Sequence, residues 1–263
     1  MVSKIIFKKI KFNNANYNRF NKYIVKKGLF VFPAGPALAT IEQSKKYYKS
    51  IKSADLIFFD SGFFVLLLKL FKNIHVSKFS GFKFLGLFFN YLKKNRNKKI
   101  FCIDPNLNFS KSNKMYIKKL GIKKIQNYVA PKYDPRNLCD QRLIRLIKNF
   151  NPNYVIINLG GGVQEVLGLY LKKNLKQKTT ILCTGAAISF FTKDQAPINE
   201  LIDKYYLGWL IRLIYNPFVF SKKYIIGLKL IPMVIFNNIK VIKWKSWLQV
   251  EQDTLEVHLP GCL

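Results

Sequence analysis

The sequence predicts an α/β protein built on a mainly parallel sheet with helices on both faces. Two observations carry that expectation. Short apolar runs rich in Ile, Val and Phe end in Gly, Asp or Pro, as strands buried on both faces do. Between them lie stretches with helical spacing, and strands alternating with helices at this interval define crossover units. The bulk composition agrees: 263 residues, 49% hydrophobic and 15% aromatic, can bury a sizeable core.

Taken in order, the predicted strands are Leu29–Phe32, Asp55–Asp60, Ile100–Asp104, Tyr154–Leu159 and Thr180–Thr184. The predicted helices cover Ile41–Ile51, Phe82–Lys93, Met115–Leu120, Leu138–Phe150 and Val163–Leu171. The expected organisation is an N-terminal extension (1–28), an α/β core (29–204) and a basic aromatic C-terminal appendage (205–263). In parallel sheets ligands bind at the C-terminal strand ends. That rule directs attention to Pro33–Pro36, Asp60–Gly62, Asp104–Pro105, Gly160–Gly162 and Gly185.

Charge is the unusual feature. Forty-five Lys and Arg oppose 13 Asp and Glu, a formal net charge of +32. Such a field attracts nucleic acid, anionic headgroups or diphosphates. Coding bias toward Lys, Asn, Ile and Phe accounts for part of it, but not for so few acidic residues. The aromatics form no known nucleic-acid-binding signature, so nucleic acid is not the expected partner. Four cysteines without a C-x-x-C pair, and two histidines, argue against a zinc centre or a disulfide scaffold. No signal peptide and no span of about 20 apolar residues is legible. Phe63–Leu68 and Ile225–Phe236 are too short or interrupted. The expected location is cytoplasmic, at a membrane surface.

That surface is expected at the C-terminal end. From Tyr205, aromatic residues including Trp209, Trp244 and Trp247 alternate with Arg212, Lys222, Lys223, Lys229, Lys240, Lys243 and Lys245. This mixture suits an anionic headgroup region. The alternative is a helical subdomain packed on the core with a solvated basic face. Val250–Leu263 reads as a strand or hairpin.

Three segments could carry chemistry. Asp60 stands at a strand tip before Ser61 and Gly62, where a carboxylate can act as general base or merely cap a helix. In Asn158–Glu165 a strand runs into Gly160, Gly161 and Gly162, and a helix then opens with Gln164 and Glu165. Backbone N–H groups there form an anion site, and Gln164 can hydrogen-bond a sugar or base edge. The alternative is a tight strand–helix turn with Glu165 complementing the helix dipole. Thr184–Ala187 is another strand end opening into small residues, with Gly185 at its turn. Arg212 further on could grip a diphosphate, or be an ordinary helix-surface arginine.

In order and spacing these pieces resemble the WecG/TagA/CpsF family. Its members carry a strand ending in Asp-Gly, then Gly-x-Pro-Lys-Gln-Glu, a Gly-Ala strand end, Arg-Ala-Pro, and Glu-Trp-Leu-x-Arg-Leu followed by Glu-Pro. The corresponding stretches here are Asp60–Gly62, Gly160–Glu165, Gly185–Ala186, Gln195–Pro197, Gly208–Leu213 and Asn216–Pro217. The match runs over roughly residues 29–225. The resemblance implies a Rossmann-like core and an inverting, metal-independent glycosyltransferase with no cofactor. Such an enzyme moves an N-acetylhexosamine or related sugar from a UDP-sugar to a polyprenyl-diphosphate-linked saccharide at the membrane.

It further implies Asp60 as the base on the acceptor hydroxyl, Gln164 and Glu165 lining the donor pocket, and Arg212 neutralising the leaving diphosphate. Lys78, before Gly81, is a second diphosphate candidate, and Tyr133 is placed near the substrate. A homo-oligomer is left open. The chain departs from the family at Phe32–Ala34 (Thr-x-Asn in relatives), Gly162–Val163, Gln195 and Gly208. These changes fit a different sugar or a noncatalytic scaffold in polysaccharide assembly.

Overall fold

The computed structural model describes residues 2–15, 17–175, 179–194 and 208–243. The chain opens with β1 (Val2–Phe7) and β2 (Ile10–Asn13), an antiparallel hairpin turning at Lys8 and Lys9, both in the left-handed region (φ 49° and 60°). After the short α1 (Phe20–Ile24) come β3 (Gly28–Val31), α2 (Gly35–Ala39), α3 (Lys45–Lys52), β4 (Leu56–Ile57), α4 (Gly62–Lys72) and α5 (Gly81–Lys94). The second half continues with β5 (Ile100–Asp104), α6 (Leu107–Lys119), β6 (Ile125–Val129), α7 (Gln141–Phe150), β7 (Tyr154–Ile157), α8 (Val163–Asn174), β8 (Thr180–Cys183) and α9 (Ser189–Thr192). Helices Gly208–Tyr215, Pro217–Gly227 and Leu230–Phe236 follow, then β9 (Lys240–Lys243).

Six strands form one parallel sheet in the order β4-β3-β8-β7-β5-β6. The α/β class expected from the sequence is therefore the class found, and the sheet is Rossmann-like. Because side chains alternate along a strand, each central strand feeds two cores. Leu29, Val31, Phe101, Ile103, Val155, Ile157 and Ile181 join the core that α3, α7 and α8 cover. Phe30, Ile100, Cys102, Tyr154, Ile156 and Leu182 join the core that α5 and α6 cover. The second core is dense in phenylalanine: the Phe32 and Phe58 rings stack at 5.0 Å, and Phe84 packs 5.0 Å from Phe32.

Local chemistry sets where the helices start. Ser44, Ser61, Ser80, Asn106 and Asp140 each accept a backbone N–H of the first helical turn. The expected strand Asp55–Asp60 shrinks to Leu56–Ile57, because beyond it Phe58 makes only a bridge to Asn13. The sixth strand, Ile125–Val129, has no counterpart among the predicted ones, and α6 begins eight residues before Met115. The region expected as an extension contributes β1, whose other edge pairs antiparallel with β9. The expected strand or hairpin at Val250–Leu263 lies outside the described residues. Among the described residues no helix is long and apolar enough to cross a membrane.

Candidate active site

A parallel sheet delivers the ends of all its strands to one rim. Asp60 follows β4, Asp104 ends β5, Gly160–Gly162 follow β7 and Gly185 follows β8. The segments after β3 and β7 turn toward one face, and those after β5 and β8 toward the other, which puts the switch point of the sheet at the central rim, where sheets of this kind bind ligands.

Asp60 is fixed at this rim from two sides. Its N–H donates to the Phe58 carbonyl (3.1 Å), and its Oδ1 accepts the Gly81 N–H at 2.8 Å. Gly81 is the first residue of α5, so the carboxylate sits at a helix N-terminus, which favours negative charge. The Phe79 N–H bonds the Phe59 carbonyl (2.8 Å) and lays Lys78–Gly81 alongside the strand end. Gly81 also packs against the β8 end: a Cβ there would lie 3.1 Å from the Thr184 carbonyl oxygen. Asp60, Gly81 and Thr184 thus form one contiguous patch. Nothing in the sequence signals that Gly81 holds Asp60.

The glycine turn is held by the two side chains that follow it. Gly162 has φ +92°, a conformation that favours glycine. Its N–H donates to Glu165 Oε2 at 2.7 Å. Glu165 Oε1 accepts Gln164 Nε2 at 3.0 Å, and Gln164 Oε1 accepts the Gly185 N–H at 2.7 Å. Gln164 therefore staples the loop after β7 to the loop after β8. Gln164 and Glu165 are both buried, whereas a Cβ built at Gly160 or Gly162 would meet nothing within 4 Å. Open space over a glycine turn at a helix N-terminus can admit an anion.

Burial pushes the Glu165 carboxyl up to about 7, against its hydrogen bonds, and the nearby Asp60 charge adds to the rise. The two carboxylates thus share one electrostatic environment. Tyr47 is a further neighbour that sequence reading missed. Its hydroxyl is buried without a hydrogen-bond partner among the described residues, and burial together with Glu165 raises its pKa well above the ordinary phenol value.

Asp104, noted in the sequence only as a strand end, organises the neighbouring rim. Its Oδ1 accepts Nδ2 of both Asn113 and Asn158 at 2.7 Å, and its Oδ2 accepts Nδ2 of Asn127 at 2.7 Å. Burial raises its pKa and these bonds oppose the rise. The carboxylate ties β5 to β6, to α6 and to the residue that leads into the glycine turn.

The remaining expected residues are placed as follows. The Tyr133 hydroxyl donates to Asp140 Oδ2 at 2.6 Å, beside Tyr128 at 2.8 Å, at the start of α7. Lys78 lies three residues before Gly81 on the segment beside Asp60. Arg212 falls within the helix Gly208–Tyr215. Gln195–Pro197 lie outside the described residues. The structure thus brings together Asp60, Gly160, Gly161, Gln164, Glu165 and Gly185.

The sequence matches the glycosyl transferase WecG/TagA/CpsF family over residues 4–244, most of the chain. This chain belongs to the WecG/TagA/CpsF glycosyltransferase family. No curated protein matches it individually. Glycosyltransferases of this family act on a sugar donor and an acceptor, and in this chain the parallel sheet gathers polar groups at one rim. The family match begins at residue 4 and ends at 244, so it takes in most of β1 and all of β9, two strands that pair outside the main sheet.

Proposed function

We propose that this glycosyltransferase inverts and transfers a sugar, of the N-acetylhexosamine class, from a UDP-sugar to a polyprenyl-diphosphate-linked saccharide in cell-surface polysaccharide synthesis. The observation that carries the reading is the position of Asp60. It is a carboxylate held at a helix N-terminus, on the same rim as an open glycine turn. In the proposed reaction Asp60 takes the proton from the acceptor hydroxyl as that oxygen attacks the anomeric carbon. The bond to the UDP oxygen breaks, and UDP leaves with the electron pair. Gly160 and Gly161 offer backbone to the diphosphate, and Gln164 and Glu165 hold the turn in shape. Lys78 and Arg212 supply the positive charge that the leaving group needs, the task a metal serves in other transferases.

The reaction takes place at the cytoplasmic membrane face, with the basic C-terminal segment in contact with anionic lipid. The test is UDP release from a panel of UDP-sugars, with and without a polyprenyl-diphosphate-linked N-acetylglucosamine acceptor in liposomes. Acceptor-dependent release with one donor, lost in Asp60→Asn, supports the reading. Release that persists in Asp60→Asn removes Asp60 from the mechanism.

One observation favours a second reading, a noncatalytic scaffold. Phe32 stands where relatives carry the first residue of Thr-x-Asn, and it is buried against Phe58 and Phe84 instead of offering a polar group. Folded, liposome-bound protein that turns over none of the donors would favour the scaffold.

A further inference from the structure

Helix α4 starts two residues after Asp60 and extends about 16 Å. One face is core: Phe64, Val65, Leu67 and Leu68 are buried. The other face carries Leu66, Leu70 and Phe71, exposed at 42%, 64% and 49%, with the exposed Lys69 among them. A surface helix normally turns charged or polar residues outward, and three large apolar side chains outward on one helix call for a second apolar environment.

Its neighbours share this character. Lys72 Nζ donates to the Ile235 carbonyl at 2.8 Å, tying α4 to the helix Leu230–Phe236. Phe236 on that helix is 83% exposed, and Phe218 on Pro217–Gly227 is 88% exposed. The charges decide the partner. Residues 62–72 and 208–243 contain eight Lys or Arg and no Asp or Glu. An apolar surface fringed only by cations matches a bilayer with anionic headgroups.

We propose that α4, through Leu66, Leu70 and Phe71, seats in an anionic bilayer beside the C-terminal helices and so sets the position of Asp60 relative to the headgroups. The inference rests on the membrane reading of the C-terminal segment given above and adds a core helix to it. A side chain immersed from α4 would hold the preceding carboxylate close to the interface, where the diphosphate of a lipid-linked acceptor lies.

The experiment uses the full chain with Cys139→Ser and Cys262→Ser, leaving the buried Cys102 and Cys183. An environment-sensitive fluorophore is attached through Leu70→Cys in one sample and Phe218→Cys in another. Each is mixed with vesicles of phosphatidylcholine alone or enriched in phosphatidylglycerol. The expected result is a blue shift at both positions on the anionic vesicles, with quenching by brominated lipid. Leu66→Ser, Leu70→Ser and Phe71→Ser together should weaken vesicle binding about tenfold or more, with the thermal melt retained. A shift at position 218 without one at 70 overturns the role of α4 and leaves the membrane reading standing. No shift at either position overturns both. A shift at 70 that follows protein concentration without vesicles assigns the face to a second copy of the chain and overturns the proposal.

Discussion

The Gly162 N–H donates to Glu165 Oε2 at 2.7 Å, so the carboxylate that closes the glycine turn is also one with no exposed surface. Burial lifts it from the ordinary 4.5 to about 7, which makes its proton a stability term. Between those values the folded chain holds a proton that the unfolded chain has released. Stability from this group is therefore full below about pH 4.5, falls as pH rises toward 7, and is level above that. The loss is on the order of 3 kcal/mol. Glu165→Gln removes the slope. Melting curves from pH 5 to 8 should show the wild-type Tm falling relative to that of the variant as pH rises. The rise at Asp104 acts in the same direction but is common to both proteins and cancels. A pH-independent difference would mean that Glu165 does not titrate in this range.

Asp60→Asn tests the base without dismantling its seat. The replacement amide oxygen can still accept the Gly81 N–H, so the melt should stay within about 1 kcal/mol of wild type. Acceptor-dependent turnover should fall by roughly 10²–10⁴, the scale of general-base catalysis. Steady-state UDP release with matched circular dichroism separates the two effects.

Gly162 and Gly160 should respond differently to the same methyl group. Neither would meet a neighbour within 4 Å. Gly162, at φ +92°, is forced into a strained backbone, so Gly162→Ala should cost about 1–3 kcal/mol in denaturant unfolding. Gly160→Ala should cost under about 0.5 kcal/mol while weakening donor binding, because its methyl enters the open space over the turn. Calorimetric titration with UDP reads that loss.

Asp140 gathers three donors: the Leu143 N–H at 2.8 Å and the hydroxyls of Tyr128 and Tyr133. Asp140→Ala removes a helix cap and strands two hydroxyls, and should cost about 2 kcal/mol or more. Tyr133→Phe leaves the cap and the Tyr128 bond in place and should cost about 1 kcal/mol. Urea unfolding of both variants gives the comparison.

The buried centre of the sheet was legible because its strands are apolar on both faces. Phe101, Ile103, Val155 and Ile157 point into one core and Ile100, Cys102, Tyr154 and Ile156 into the other, so these strands need helices above and below. The edges were not legible. Ile125–Val129 reads as polar because Asn127 is spent on Asp104 and not on solvent, a pairing that only the folded sheet creates. The hairpin at Lys8 and Lys9 uses positive φ without Gly or Asn, so the usual turn signal is missing. At the site, motif order pointed to Asp60, the glycine turn and Gly185 as strand ends. What could not be read was the connection between them. Gly81 reaches Asp60 from a different helix, and Tyr47 reaches the surroundings of Glu165 from another. Residues that meet only through crossover connections share no local pattern.

The pairing of β1 with β9 joins the beginning of the described chain to its end. Ser3 Oγ adds a 2.8 Å bond to the Ile242 carbonyl. A chain that ends before β9 loses this pairing even where the helices that precede it are kept. It would leave the free edge of β1 with unpaired N–H and C=O groups, a template for another copy. Shortened forms should therefore self-associate through that bared edge, and their oligomeric state would describe the cut rather than the intact enzyme.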